Sequence, residues 1–225
     1  FILWKDLSSP EYKDGRRSKY TNMAGMEDVL TDPNQVDTES IFKKHFDYEY
    51  KALQEMLNVM PIYNFSLYGL EADDLIAYFC LSEELKDYDI VIFSSDKDFY
   101  QLLTPNDRVK IEKKLNEYVT YTSVVNKFGI IPENFALARA IIGDDAGDNI
   151  KGIKGYGYKT LIKDFPEIVS KELDLDTFCD HVWERQSKSK KIMSIIENID
   201  NLIAMFKIIN LRMIDFKLMQ TNQIK

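Results

Sequence analysis

The run Ile90-Val91-Ile92-Phe93 constrains this chain more than any other stretch. It is short, rich in β-branched and aromatic residues, and free of polar interruption. It lies between Asp89 and the pair Ser94-Ser95. Such a run predicts a strand over 89–95, buried on both faces and belonging to a parallel sheet. Parallel strands need long crossover connections, usually helices, so the fold class is α/β. The next residues, Asp96-Lys97-Asp98, then fall at the strand's carboxyl end, where open α/β sheets gather their ligands.

The flanking patterns agree with that class. Residues 38–59 carry apolar side chains at helical spacing (Ile41, Phe42, Phe46, Tyr50, Leu53, Leu57), and Pro61 closes the element. Residues 62–68 alternate weakly and predict a strand. A helix is expected over 71–85, opening on the acidic turn Glu71-Ala72-Asp73-Asp74, where the helix dipole favours negative charge. A short helix follows Phe99. Two short strands are expected within 108–121, around Lys114-Leu115-Asn116. A helix opened by Pro132 spans 132–142, and the chain beyond the next loop reads as helical to about 214. Residues 5–40 are polar and read as a basic loop or marginal helix.

Composition removes several function classes. No uninterrupted apolar run is long enough to cross a bilayer, and no charged-then-apolar leader is visible. Cys80 and Cys179 lie far apart, which favours a reduced, cytoplasmic setting over a disulfide framework. Only two histidines occur, which speaks against a His-rich zinc site. The net charge of −8 taken alone opposes nucleic-acid binding. The acids are clustered, however, and the basic residues gather elsewhere, so the distribution of sign matters more than its sum.

Three acidic groups stand out: Glu71/Asp73/Asp74, Asp96/Asp98 and Asp145/Asp148. Ionised carboxylates converging in one site repel unless a cation neutralises them. Oxygen-only ligands select hard ions such as Mg2+ or Mn2+. Two such ions about 4 Å apart suit phosphodiester hydrolysis. Each group alone has a plainer reading, as a helix cap or a solvated turn. Their joint occurrence at three sheet-edge positions carries the metal reading.

The segment Gly152-Ile153-Lys154-Gly155-Tyr156-Gly157-Tyr158-Lys159-Thr160 permits tight turns and close backbone approach. Tyr158 or Lys159 begins a helix whose free N–H groups suit a phosphate. Lys154, Lys159 and Lys163 add charge. Contacts of this kind grip a backbone and carry no sequence preference. The plainer reading is an ordinary helix–turn–helix connection.

These motifs together resemble the 5′ nucleases. Gly69-Leu70-Glu71-Ala72-Asp73-Asp74 is similar to the family's G-x-E-A-D-D signature. Ser95-Asp96-Lys97-Asp98-Phe99-Tyr100-Gln101-Leu102-Leu103 resembles its T-D-K-D-x-x-Q-L-V segment. Residues 143–150 with 152–160 resemble its G-D-x-x-D-N and helix–three-turn–helix motif. Order and spacing agree over most of residues 1–165, in the manner of bacteriophage flap endonucleases and the 5′-3′ exonuclease domain of bacterial DNA polymerase I.

The resemblance implies a PIN-like fold, with a mainly parallel central sheet flanked by helices. Residues 1–142 would be the nuclease core, with a helical arch over about 11–60. Residues 143–225 would hold the helix–three-turn–helix DNA-binding region and the remaining helices. Glu71, Asp73, Asp74 and Asp96 would hold a first metal ion, directly or through water. Asp98, Asp145 and Asp148 would serve a second, with Asp96 nearby. Asp144 and Asp145 stand in tandem here, and Asp145 keeps the three-residue step to Asp148. Lys13 and Arg16, with Lys19, would face the scissile phosphate and stabilise its developing charge. Gly152, Lys154, Gly155, Gly157, Lys159 and Thr160 would bind duplex DNA, with K+ expected at that motif.

The implied activity is Mg2+-dependent hydrolysis of a phosphodiester by a monomer, on branched or 5′-ended DNA during replication. An RNA–DNA hybrid is a second candidate substrate. A non-catalytic DNA-binding relic and a one-metal enzyme acting on a small phosphate ester are the other readings. The family begins with a strand and two aspartates that have no counterpart in a chain opening on Phe1-Ile2-Leu3-Trp4, so further sequence is expected upstream.

Overall fold

The computed structural model describes residues 38–63, 65, 71–143, 151–186 and 189–213, with side chains from Lys44 onward. They fall into two compact units that divide after Ala72.

In the first unit, helix α1 (Thr38–Val59) occupies the span its periodicity predicts. Leu57 is buried, whereas Phe46 and Met56 are exposed. Local pairs along one face support the helix: Phe46 stacks on Tyr50 at 6.2 Å, and Gln54 Nε2 donates to the Tyr50 hydroxyl at 3.3 Å. The expected strand over 62–68 is not formed at its start, because Pro61 and Ile62 lie in a bend. Asn64 and residues 66–70 are outside the described residues.

The second unit holds the sheet. Helix α2 (Ala72–Leu81) opens on Asp73 and Asp74 and buries Leu75, Ala77, Tyr78 and Cys80. The helix expected over 71–85 breaks at Ser82. That hydroxyl accepts from the Glu84 N–H at 3.2 Å and starts a separate 3₁₀ turn, Glu83–Leu85. Strand β1 (Ile90–Phe93) pairs in parallel with β2 (Val109–Lys114), which pairs antiparallel with β3 (Glu117–Val119). Among the described residues the sheet is therefore small and mixed, with one parallel and one antiparallel pairing.

Nor is β1 buried on both faces. Ile92 is 6% exposed, whereas Val91 and Phe93 are 45% and 64% exposed. Apolar residues stand at both parities of the pleat, and composition cannot tell which face a neighbour covers.

Beyond the sheet, α3 (Tyr121–Phe128) is a helix not expected from the apolar spacing. Its signals are nonetheless local: a Thr120/Ser123 capping box and Gly129 at φ +74°. A 3₁₀ turn at Pro132–Asn134 leads into α4 (Phe135–Ile142), nearly all of it buried. Then follow α5 (Tyr158–Asp164), α6 (Leu175–Glu184), α7 (Lys190–Glu197) and α8 (Ile199–Ile209).

One hydrophobic core runs through this unit from Ala77 to Leu211. At its centre Tyr100, Phe128, Phe135 and Tyr158 pack with ring centroids 4.9–6.5 Å apart. The segment after β1 and the start of α5 are thereby held by the same aromatic contacts. Asn134, fully buried, donates to the carbonyls of Ile168 (2.9 Å) and Lys171 (2.6 Å) and accepts from the Leu173 N–H at 2.8 Å.

Candidate active site

Asp96 and Asp98 leave the end of β1 in two consecutive turns. The Ser94 N–H makes the last sheet bond, to the Glu112 carbonyl at 3.2 Å. The Asp96 N–H then donates to Ser94 Oγ (3.1 Å), and the Asp98 N–H donates to Asp96 Oδ1 (2.9 Å). One carboxylate oxygen of Asp96 thus starts the 3₁₀ helix Asp98–Leu102. Asp96 is exposed, as a group meeting a soluble ligand must be.

Asp98 has a different environment. Its carboxylate forms an ion pair with the Arg139 guanidinium, with the two side chains only 14% and 7% exposed. Arg139 projects from the apolar helix α4 and belongs to none of the sequence motifs. A lone arginine among Phe135, Ala136, Leu137, Ala138, Ala140 and Ile141 is a signal that could have found it. A buried guanidinium needs a charge partner, and the only open question is which one.

The 3₁₀ helix after Asp98 is anchored from far along the chain. Gln101, 1% exposed, donates to the carbonyls of Asp98 (2.8 Å) and Ile209 (3.0 Å) and accepts from the Leu211 N–H at 2.9 Å. Arg212 donates to the Gln101 carbonyl at 3.2 Å. The glutamine of the D-K-D-x-x-Q-L motif therefore fixes the backbone that presents the acids.

Asp73 and Asp74 stand half-buried in the first turn of α2, and Glu71 is half-buried in the other unit. Asp145, Asp148 and the alternative Asp144 lie outside the described residues, as do Lys13, Arg16 and Lys19. Among the described residues, no three acidic, His or Cys side chains gather closely enough to hold an ion. The donors are right in kind for a hard divalent cation, being carboxylates only. Asp98 already has its charge met by Arg139.

The glycine-rich turn crosses the end of α4. A Cβ on Gly152 would stand 1.9 Å from the Ile142 carbonyl oxygen, so only glycine fits, and the Ile153 N–H donates to the Ile141 carbonyl at 2.7 Å. Gly155 has φ +91°, and its carbonyl accepts from Lys191 Nζ at 3.3 Å. Gly157 caps α5 with open space around it. Lys154 and Lys159 are exposed and Thr160 is half-buried. Of this set, Gly152 is packed into the protein, while Lys154, Gly155 and Lys159 face outward.

Residues 4–129 match the family described as 5′-3′ exonuclease, N-terminal resolvase-like domain. The chain belongs to the 5′ nuclease family. DNA polymerase I of Bacillus subtilis is 34% identical over 141 residues, which is 61% of this chain and 16% of that protein. A 5′-3′ exonuclease of Aquifex aeolicus is 38% identical over 111 residues, 49% of this chain and 38% of that protein. The 5′ nuclease chain thus spans well under half the length of either relative.

Among solved structures, the T5 D15 protein co-crystallised with metal ions superposes with a TM-score of 0.63 at 24% identity. The match covers 94% of this chain and 74% of that one. A mutant of the T5 5′-exonuclease gives 0.57 at 25% identity, over 75% and 65% of the two chains. The resolvase-like fold of the 5′ nucleases is therefore shared. Within the described residues, no helix of this 5′ nuclease is long and apolar enough to cross a membrane.

Proposed function

We propose that this chain contributes the catalytic carboxylates and the DNA grip of a structure-specific 5′-3′ exonuclease and flap endonuclease. The carrying observation is Asp96, an exposed carboxylate at the carboxyl end of β1. Its motif, Asp96-Lys97-Asp98-Phe99-Tyr100-Gln101-Leu102, resembles the T-D-K-D-x-x-Q-L segment of the 5′ nucleases. Its backbone is fixed through Ser94 on one side and, through Asp98 and Gln101, on the other. Such rigidity suits a group that must meet a phosphodiester at a set position.

Asp96, with Glu71, Asp73, Asp74, Asp98, Asp145 and Asp148, would hold divalent cations, Mg2+ in the cell. Ions held there would supply Lewis acidity and a route to an activated water. The residues of the chain do the rest. Lys13 and Arg16, in the arch that the resemblance implies over about 11–60, would meet the scissile phosphate. The glycine-rich turn and α5, as a helix–three-turn–helix, hold the duplex. The substrate in this reading is DNA with a 5′ end or a 5′ flap, of the kind met in replication.

The experiment is cleavage of a 5′-flap DNA in Mg2+ by the chain and by Asp96→Asn, with flap binding measured in parallel. The proposal expects at least a hundredfold loss of cleavage with little change in binding. Cleavage by Asp96→Asn within threefold of the unsubstituted chain would overturn it.

A further inference from the structure

A groove of about 450 Å³ opens between α5 and the start of α7, beside the glycine-rich turn. Lys159, Thr160 and Lys163 form one wall; Ser189, Lys190 and Lys191 form the other. These walls come from segments about thirty residues apart, and only tertiary packing brings their lysines together. Among the described residues, the lining carries four ammonium groups and one carboxylate, Asp164.

That carboxylate is occupied. Asp164 Oδ2 accepts from the Tyr156 hydroxyl at 3.1 Å. Burial, then the Asp164 charge, push the Tyr156 phenol well above its ordinary range, so it stays a donor. Lys159, Lys163 and Lys190 have no acidic partner within ion-pair distance among the described residues. Lys191 is held by the Gly155 carbonyl, which ties the second wall to the turn. Ser189 caps α7 through the Ile192 N–H at 3.2 Å, which fixes the first turn that carries Lys190 and Lys191.

We infer that this groove seats the phosphodiester backbone of duplex DNA, with Lys190 and Lys163 on opposite walls gripping it, so that the DNA-binding surface extends from the glycine-rich turn onto α7. Exposed, unpaired ammonium groups facing one another across a channel repel, and a polyanion removes that repulsion while releasing its own counterions. Contacts made to the phosphodiester backbone carry no sequence information, so the grip is independent of sequence. The inference rests on the DNA reading given above and adds a second wall to it.

The test is fluorescence anisotropy of a labelled random-sequence duplex with the full chain, without divalent cations, over a range of salt. Lys163→Gln and Lys190→Gln should each weaken binding about three- to tenfold at 0.1 M salt and lower the log–log salt slope by about one. Lys207→Gln, on α8, should change neither. Equal thermal midpoints confirm that the variants are folded; if one is not, the other carries the test. Inorganic phosphate at matched ionic strength should displace the duplex no better than chloride does. Variants that bind as the unsubstituted chain does would overturn the groove while leaving the nuclease reading intact. Displacement by submillimolar phosphate would make it a small-anion site instead. No duplex binding by the unsubstituted chain would overturn both.

Discussion

Gln101 and Ile209 are 108 residues apart, and the side chain of one donates to the carbonyl of the other at 3.0 Å. The same amide accepts from the Leu211 N–H at 2.9 Å, so the end of α8 is bonded directly to the helix that begins at Asp98. The acidic strand end is thereby supported by the far end of the chain. A buried amide with three backbone partners tolerates no rotation that would spare one of them.

Replacing Gln101 with Leu leaves the Ile209 carbonyl and the Leu211 N–H buried without this partner. Each orphaned group costs about 1–3 kcal/mol, so the loss is about 3 kcal/mol in urea unfolding. Hydrogen exchange should show the Leu211 amide losing protection first. An unchanged midpoint would mean that solvent reaches this seam.

Arg139 and Asp98 form a second support, electrostatic in kind. Arg139→Met keeps most of the volume but strands a carboxylate that is 14% exposed, and should cost about 3 kcal/mol. The double variant Arg139→Met/Asp98→Leu should recover most of that, since neither charge remains. A double variant no more stable than Arg139→Met would show that the pair is not what holds α4 to this turn.

The glycines separate by what surrounds them. At Gly152 a methyl group would overlap the Ile142 carbonyl oxygen, 1.9 Å away, so Gly152→Ala should cost about 3 kcal/mol or prevent folding. Gly157 has open space and an ordinary extended backbone, so Gly157→Ala should cost less than about 1 kcal/mol at this N-cap. Thermal melts of the two variants settle the contrast.

Acid should weaken the packing of the 3₁₀ turn Pro166–Val169 against α6. The Arg185 guanidinium hydrogen-bonds Glu167 and holds its carboxyl down from the usual 4.5 to about 2. A depressed folded-state pKa adds stability that is complete above about pH 4.5 and is lost as pH falls towards 2. The chain should therefore exceed Glu167→Gln by about 1 kcal/mol at pH 7, allowing for partial solvation, and lose that lead by about pH 2. Parallel pH-dependent melts check the sign.

Much of this molecule is legible in local sequence. The span of α1, the acidic start of α2, strand β1 with its aspartates and the Pro132 start all follow from spacing, caps and turn residues within a few positions. The chemical character of the carboxylates is equally local. What tertiary structure decided lies at longer range: that β1 shows one face to solvent, that Arg139 meets Asp98, that Gln101 bonds the end of α8, that Gly152 has no room, and that two lysine-bearing segments face each other across a groove. Helical and strand periods encode which residues are apolar, not which neighbour covers them. Contacts separated by tens of residues are fixed only when the whole core closes.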